Sequence, residues 1–183
     1  FTVDKSKQFV PFDNGADNLK ERPAGSLLVE VQPFCVITAK DILLLDAGLG
    51  FEINGTLQLH QNLMDAGINP SEVTKVVMSH LHKDHSGGIG IEREGLGRRL
   101  SFPNATFYVQ QQELAFAFGK GSASYLENEL LSLQNAEQLV LLNGKGVIDE
   151  YIHHEITGAH SMYHQVIWIK EEGETIFFGG DDA

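Results

Sequence analysis

Apolar residues along this chain come in short blocks separated by turn formers, and the spacing within each block predicts an element. Residues 26–38 are rich in Leu, Val, Ile and Phe, and after the Lys40-Asp41 turn Ile42–Leu45 is apolar without a break. These two blocks predict paired strands that end at Asp46-Ala47-Gly48. Thr56 is placed to cap a helix bearing Leu57, Leu59, Leu63 and Met64, with Gly67 and Pro70 as its stop. Residues 75–79, through Val76, Val77 and Met78, predict a buried strand that delivers His80 to its far end, and Gly87, Gly88 and Gly90 force a turn beyond it. A mixed-charge loop follows, then a strand over 106–109, helices over 110–118 and 125–133, and strands over 139–142, 147–152, 165–169 and 175–178. Strands interleaved with helices predict an α/β layered fold. With no internal repeat and no dividing linker, one domain is expected over 26–183, preceded by an irregular arm over 1–25 that lies over it.

Composition narrows the class. At 183 residues and 42% hydrophobic the chain is long enough for one well-buried core, and it is neither fibrous nor disordered. No apolar block approaches the roughly 20 residues of a membrane span. Lys and Arg number 13 against 25 Asp and Glu, a net charge of -12, so nucleic acid is not an expected partner. The one basic cluster, Arg93, Arg98 and Arg99, is diluted by Glu92 and Glu94. Cys35 is the single cysteine and no basic-apolar leader follows Phe1, which fits a cytoplasmic location. The oligomeric state is left open.

The chemistry sits in His80-Leu81-His82-Lys83-Asp84-His85, where four metal-capable side chains fall within six positions at a strand end. In an extended segment alternate residues share a side, so His80 and His82 can reach one ion while Leu81 turns into the core. Once the chain turns toward Gly87, Asp84 and His85 are free of that alternation and can face a second ion nearby. A chance cluster or surface tract is the plain alternative, expected on the order of once in a thousand such chains. His60, His153 and His154 earn less: His60 falls on a predicted helix, and of the adjacent His153 and His154 at most one faces inward.

This His-x-His-x-Asp-His run after a strand resembles the signature of the metallo-β-lactamase fold superfamily. Asp46 in Leu-Leu-Leu-Asp-Ala-Gly, His160 in Thr-Gly-Ala-His-Ser-Met-Tyr-His and Asp181 in Phe-Phe-Gly-Gly-Asp resemble further motifs of that family, in the same order. The resemblance implies a four-layer αβ/βα sandwich. It also implies that His80, His82 and His160 hold one zinc while Asp84, His85 and Asp181 hold another, although such N and O donors also suit manganese, iron or cobalt. Asp46 would accept an N–H from a ligand imidazole or simply form a turn, and His164 would support the ligands or pack in the core. The oxygen-reducing diiron branch carries Glu where this chain has His82, which favours the hydrolytic branch. The family supplies a last histidine from beyond the bridging Asp, and this chain ends two residues later at Ala183, so a sandwich lacking its C-terminal part is expected.

The expected reaction is hydrolysis by a metal-bound hydroxide that attacks the ester, lactone or thioester carbonyl of a small molecule, with Asp84 orienting the hydroxide and carrying its proton. The best-known β-lactamases have Cys where this chain has Asp181, which disfavours antibiotic hydrolysis and leaves a lactonase-like hydrolase. Two rivals are a noncatalytic metal-binding module and a phosphodiesterase or nuclease of the same superfamily. Residues 89–102 and 116–125 are candidate lids over the pocket.

Overall fold

The structure, a computed structural model, describes residues 2–3, 9–10, 13, 27–119 and 123–182. They fall into two compact units, residues 1–32 and residues 33–183. In the first unit Thr2–Val3 pairs antiparallel with both Phe9–Val10 and Leu27–Leu28. The stretch expected to be an irregular arm therefore contains strands, and most of its other residues lie outside the described ones.

The second unit is built on two sheets. The first runs β1 (Phe34–Ile37), β2 (Ile42–Leu45), β3 (Lys75–Val77), β4 (Thr106–Gln110) and β5 (Leu139–Leu142), in the spatial order β5-β4-β3-β2-β1. The strands β2 to β5 are parallel, and β1 is antiparallel to β2 across the tight Lys40-Asp41 turn. Parallel neighbours need long crossovers, and those crossovers carry the helices α1 (Gln58–Asp65), α2 (Lys83–Ser86), α3 (Gln111–Gly119) and α4 (Glu127–Gln134). The second sheet is an antiparallel meander of β6 (Gly146–Ile148), β7 (Ile152–Ile156), β8 (Gln165–Glu171) and β9 (Glu174–Phe178).

Alternation along the buried strands assigns each face of the first sheet to its own core. Leu44, Val76, Phe107 and Val109 pack with Leu63, Leu114, Ala117, Leu130 and Leu133 of the helices. Leu43, Leu45 and Val77 point the other way, onto Ile152, Ile167 and Ile169 of the second sheet. Helices, sheet and sheet are thus three successive layers, and each fully buried Leu, Ile or Phe contributes about 1.5–3 kcal/mol. No helix among the described residues is long and apolar enough to cross a membrane.

Several local expectations need correction. Thr56 caps nothing: it pairs with Ile53 in a two-residue ladder, Leu57 takes the cap position, and the Gln58 N–H donates to the Phe51 carbonyl instead. The single strand expected over 147–152 is a hairpin, because Asp149 and Glu150 adopt φ of 47° and 72° and reverse the chain. The mixed-charge loop is also a hairpin, Gly90–Arg93 against Gly97–Leu100, with Gly95 and Gly97 in the left-handed region. Glu92, Arg93, Glu94 and Arg99 face solvent while Arg98 turns inward toward the Gly87 carbonyl, so no apolar alternation betrayed it.

Candidate metal centre

The ends of the two sheets bring the chemistry together. Strand β2 ends at Leu45, directly before Asp46, and β3 ends just before the segment Met78–His82 that carries His80 and His82. Helix α2 carries Asp84 and His85, the β7–β8 loop holds His160 and His164, and Asp181 follows β9. In open α/β sheets the C-terminal ends of parallel strands are where ligands bind, because the side chains leaving several strands converge there. Two contacts tie the sheets at this end: the Gln165 N–H donates to the Ser79 carbonyl at 2.9 Å, and its side-chain amide to the Met78 carbonyl at 2.6 Å.

Backbone contact sets the first wall. Ala47 N–H donates to the His85 carbonyl at 2.8 Å and Gly88 N–H to the Gly48 carbonyl at 3.2 Å. A Cβ on Gly88 would lie 2.1 Å from the Ala47 carbonyl oxygen, so only glycine permits this approach. The contact holds Asp46, itself at φ 61°, against the histidines.

Three donor groups result, one of them formed by Asp46, His80 and His85, and the other two by the residues singled out in the sequence. Ligand-capable atoms of His80, His82 and His160 lie within 4.8 Å of one another, as do those of Asp84, His85 and Asp181. His82 Nδ1 is 3.0 Å from His160 Nε2. Asp181 spans both groups, with Oδ1 3.1 Å from His85 Nε2 and Oδ2 3.3 Å from His160 Nε2. Asp84 Oδ2 is 4.0 Å from His85 Nε2. All six residues singled out as ligand candidates in the sequence are therefore neighbours in space.

Hydrogen bonds fix which nitrogens are free. The Ser79 hydroxyl donates to Asp46 Oδ2 at 2.7 Å and lies 3.0 Å from His80 Nδ1. Its only proton is committed to the carboxylate, so His80 Nδ1–H is the donor in the second contact. That leaves a lone pair on His80 Nε2, which is buried and has no hydrogen-bond partner among the described residues. An orphaned basic nitrogen is costly to bury, and a cation is the partner that fits it. Asp46 Oδ2 also lies 2.8 Å from His85 Nδ1, which orients His85 Nε2 toward Asp84 and Asp181. His164 is fully buried, and its Nε2 accepts the Asp181 N–H at 3.2 Å.

The surroundings act on His80 and His85 in opposite directions. Burial, reinforced by the charges of His85, His82, His164 and His160, pushes the His80 imidazolium far below the usual histidine range, so the ring is neutral. Burial also disfavours charge on His85, but hydrogen bonds to Asp181 and Asp46 outweigh it and raise its pKa to about 10. The same hydrogen bond from His85 holds the Asp181 carboxyl below the usual carboxylate range.

Sequence reasoning missed three supporting residues. Ser79 reads in the sequence only as the end of a strand. Asp182 accepts the His160 N–H at 2.7 Å and the Thr157 hydroxyl. Glu113, 1% exposed, accepts from the Leu81 N–H and the Tyr125 hydroxyl, and burial pushes its pKa up against those bonds. A signal for Glu113 was available: it shares the inward face of α3 with Leu114 and Ala117, where a carboxylate needs donors. Of the remaining histidines, His154 is buried and bonded to the Gly144 carbonyl, and His60 stacks edge-on against Phe102.

Residues 29–181 match the model of the metallo-beta-lactamase superfamily, and the chain belongs to that superfamily. Over 52 residues it is 48% identical to an N-acyl homoserine lactonase, AttM, of Azorhizobium caulinodans, a match covering 28% of this chain and 16% of that protein. Among solved structures it is similar to a probable metal-dependent hydrolase from Staphylococcus aureus, with a TM-score of 0.70 and 24% identity, covering 81% of this chain and 57% of that one. It is also similar to AidC, a dizinc quorum-quenching lactonase in complex with a homoserine product, with a TM-score of 0.69 and 22% identity, covering 86% of this chain and 58% of AidC. The chain thus spans little more than half the length of these structures, and at such identities the likeness shows the fold alone.

Proposed function

We propose that this protein is a metal-dependent hydrolase that opens a small lactone, with N-acyl homoserine lactones as the leading substrate class. The observation that carries the reading is the buried, unpartnered His80 Nε2 within reach of His82 and His160. The lactonase relatives support the choice of substrate. Zinc suits the donors, with His80, His82 and His160 holding one ion and Asp84, His85 and Asp181 a second. When bound it supplies water acidified to a pKa of about 7 and a Lewis acid for the carbonyl.

The chain's own residues do the rest. Asp84, partly exposed on the first turn of α2, takes the proton from the attacking water and returns it to the departing alcohol oxygen. The water oxygen bonds to the acyl carbon, the ring C–O bond breaks, and a hydroxy acid leaves. Asp46 and Ser79 keep His85 and His80 in the tautomers that face inward. Tyr125 stands edge-on to the His82 ring at 4.8 Å, and Phe116 lies 5.9 Å from Tyr125 and 6.0 Å from Tyr163. This aromatic wall holds the apolar acyl chain of the substrate.

The test is hydrolysis of N-acyl homoserine lactones by the zinc-loaded chain in water enriched in oxygen-18. The label is expected in the product carboxylate, and His82→Ala and His160→Ala are expected to fall to the uncatalysed rate. Turnover that survives both substitutions, or none on any lactone or ester, contradicts the reading.

A further inference from the structure

The carboxylate of Glu113 joins the segments that carry the centre. Oε1 accepts the Leu81 N–H and the Tyr125 hydroxyl, each at 3.0 Å, and Oε2 accepts the Ser161 hydroxyl at 3.4 Å. Leu81 sits between His80 and His82, and Ser161 directly follows His160. Tyr125 packs its ring on His82. The three donors come from the β3–α2 segment, the β7–β8 loop and the approach to α4, which are far apart in sequence and share no strand pairing. Helix α3, rooted in the core through Leu114 and Ala117, holds the carboxylate still.

Resting on the reading of His80, His82 and His160 as metal ligands, we infer that Glu113 is a positioning residue: it clamps Leu81, Tyr125 and Ser161 so that His82 and His160 stand at the separation one divalent ion requires. The physical reason is that the Gln165 contacts to Met78 and Ser79 hold the roots of these two segments together, whereas Glu113 bonds next to the ligands themselves, at Leu81 and Ser161. The alternative role for Glu113 is purely structural, satisfying buried donors wherever they happen to lie. The two roles differ in what they do to the folded protein. A clamp changes the metal's surroundings, whereas a structural filler changes only how much protein is folded.

The experiment compares wild-type protein with Glu113→Gln, Glu113→Ala, Ser161→Ala and Tyr125→Phe. Zinc affinity is measured by competition with a chromophoric chelator, and cobalt(II) serves as a spectroscopic probe. Thermal unfolding of the metal-free forms reports the folded fraction. Zinc binding is expected to weaken about 10–100-fold in Glu113→Ala, the range typical of residues that orient ligands. A smaller loss is expected in Glu113→Gln, which keeps an acceptor for the Leu81 N–H. Ser161→Ala and Tyr125→Phe each remove one spoke and are expected to alter the cobalt absorption bands while remaining folded; they decide the matter if Glu113→Ala does not fold. Wild-type affinity and an unchanged cobalt spectrum in the folded variants would overturn the clamp while leaving the metal reading intact. Failure of the wild-type protein to bind either ion would overturn both.

Discussion

The hydroxyl of Ser79 decides which nitrogen of His80 carries a proton, because that hydroxyl is itself committed to Asp46. Ser79→Ala removes the relay and lets the His80 ring adopt either tautomer. Zinc affinity of the folded protein is expected to fall about 10–100-fold, read by chelator competition; unchanged affinity would mean that burial alone sets the tautomer. At the far side of the centre, Phe116→Ala thins the aromatic wall without touching a ligand candidate. It is expected to raise KM for long-chain lactones more than for short ones with kcat little changed, and an equal effect across chain lengths would remove the wall from the substrate site. Legibility at this scale followed the type of signal. Residues 80–85 could be read because metal-capable types recur at ligand spacing within a few positions. Ser79 could not, because its partner Asp46 lies 33 residues away, and for Glu113 the inward face of α3 marks a carboxylate in need of donors without naming Leu81, 32 residues away, as one of them.

Elements were legible where apolar runs were buried on both faces. Strands β2 and β3 lie where their Leu and Val runs predict, since a parallel strand in a layered fold needs no alternation, and the edge strand β5 forms at its own apolar run although Val140 and Leu141 are exposed. The hairpin over 90–100 carries no strand signal in the sequence, since most of its residues meet solvent and are charged or glycine. The 147–152 stretch was read as continuous because Asp149 and Glu150 are unusual residues at positive φ, where Asn-Gly would have marked the turn. Glycines place one further test here. Gly88→Ala drives a methyl into the Ala47 carbonyl and separates the Asp46 turn from α2, whereas Gly119→Ala meets open space. The first is expected to cost about 1–3 kcal/mol in urea denaturation and the second to be neutral or slightly stabilising. Equal stabilities would show that the two loops move apart freely.

On the scale of the whole molecule, a buried ionic cluster joins the sheets at the end remote from the centre. Asp41 accepts from Lys75, from the Thr74 hydroxyl and from the Tyr151 hydroxyl of the second sheet, and Lys75 also meets Asp149. Burial works against the Asp41 charge, but the hydrogen bonds from Lys75, Tyr151 and Thr74 outweigh it and hold the carboxyl below the usual aspartate range. A depressed folded-state pKa stabilises the protein above the unfolded aspartate pKa, and that stability is lost as pH falls through the lower folded value. Asp41→Asn is therefore expected to lower stability at neutral pH by about 1–3 kcal/mol and to flatten the acid limb of a stability–pH profile. Parallel profiles for the two proteins would exclude Asp41 from acid unfolding. The net charge of -12 is a property of the same scale, and it sits uneasily with a polyanionic substrate while placing no bar on a small neutral lactone. The centre itself stands or falls on whether His80, His82 and His160 share one ion. X-ray absorption at the zinc edge of the zinc-loaded protein tests this most directly. The account predicts imidazole nitrogens at about 2.0–2.1 Å, with the imidazole scattering reduced in His82→Ala; zinc lost on dialysis, or a spectrum identical in that variant, would contradict it.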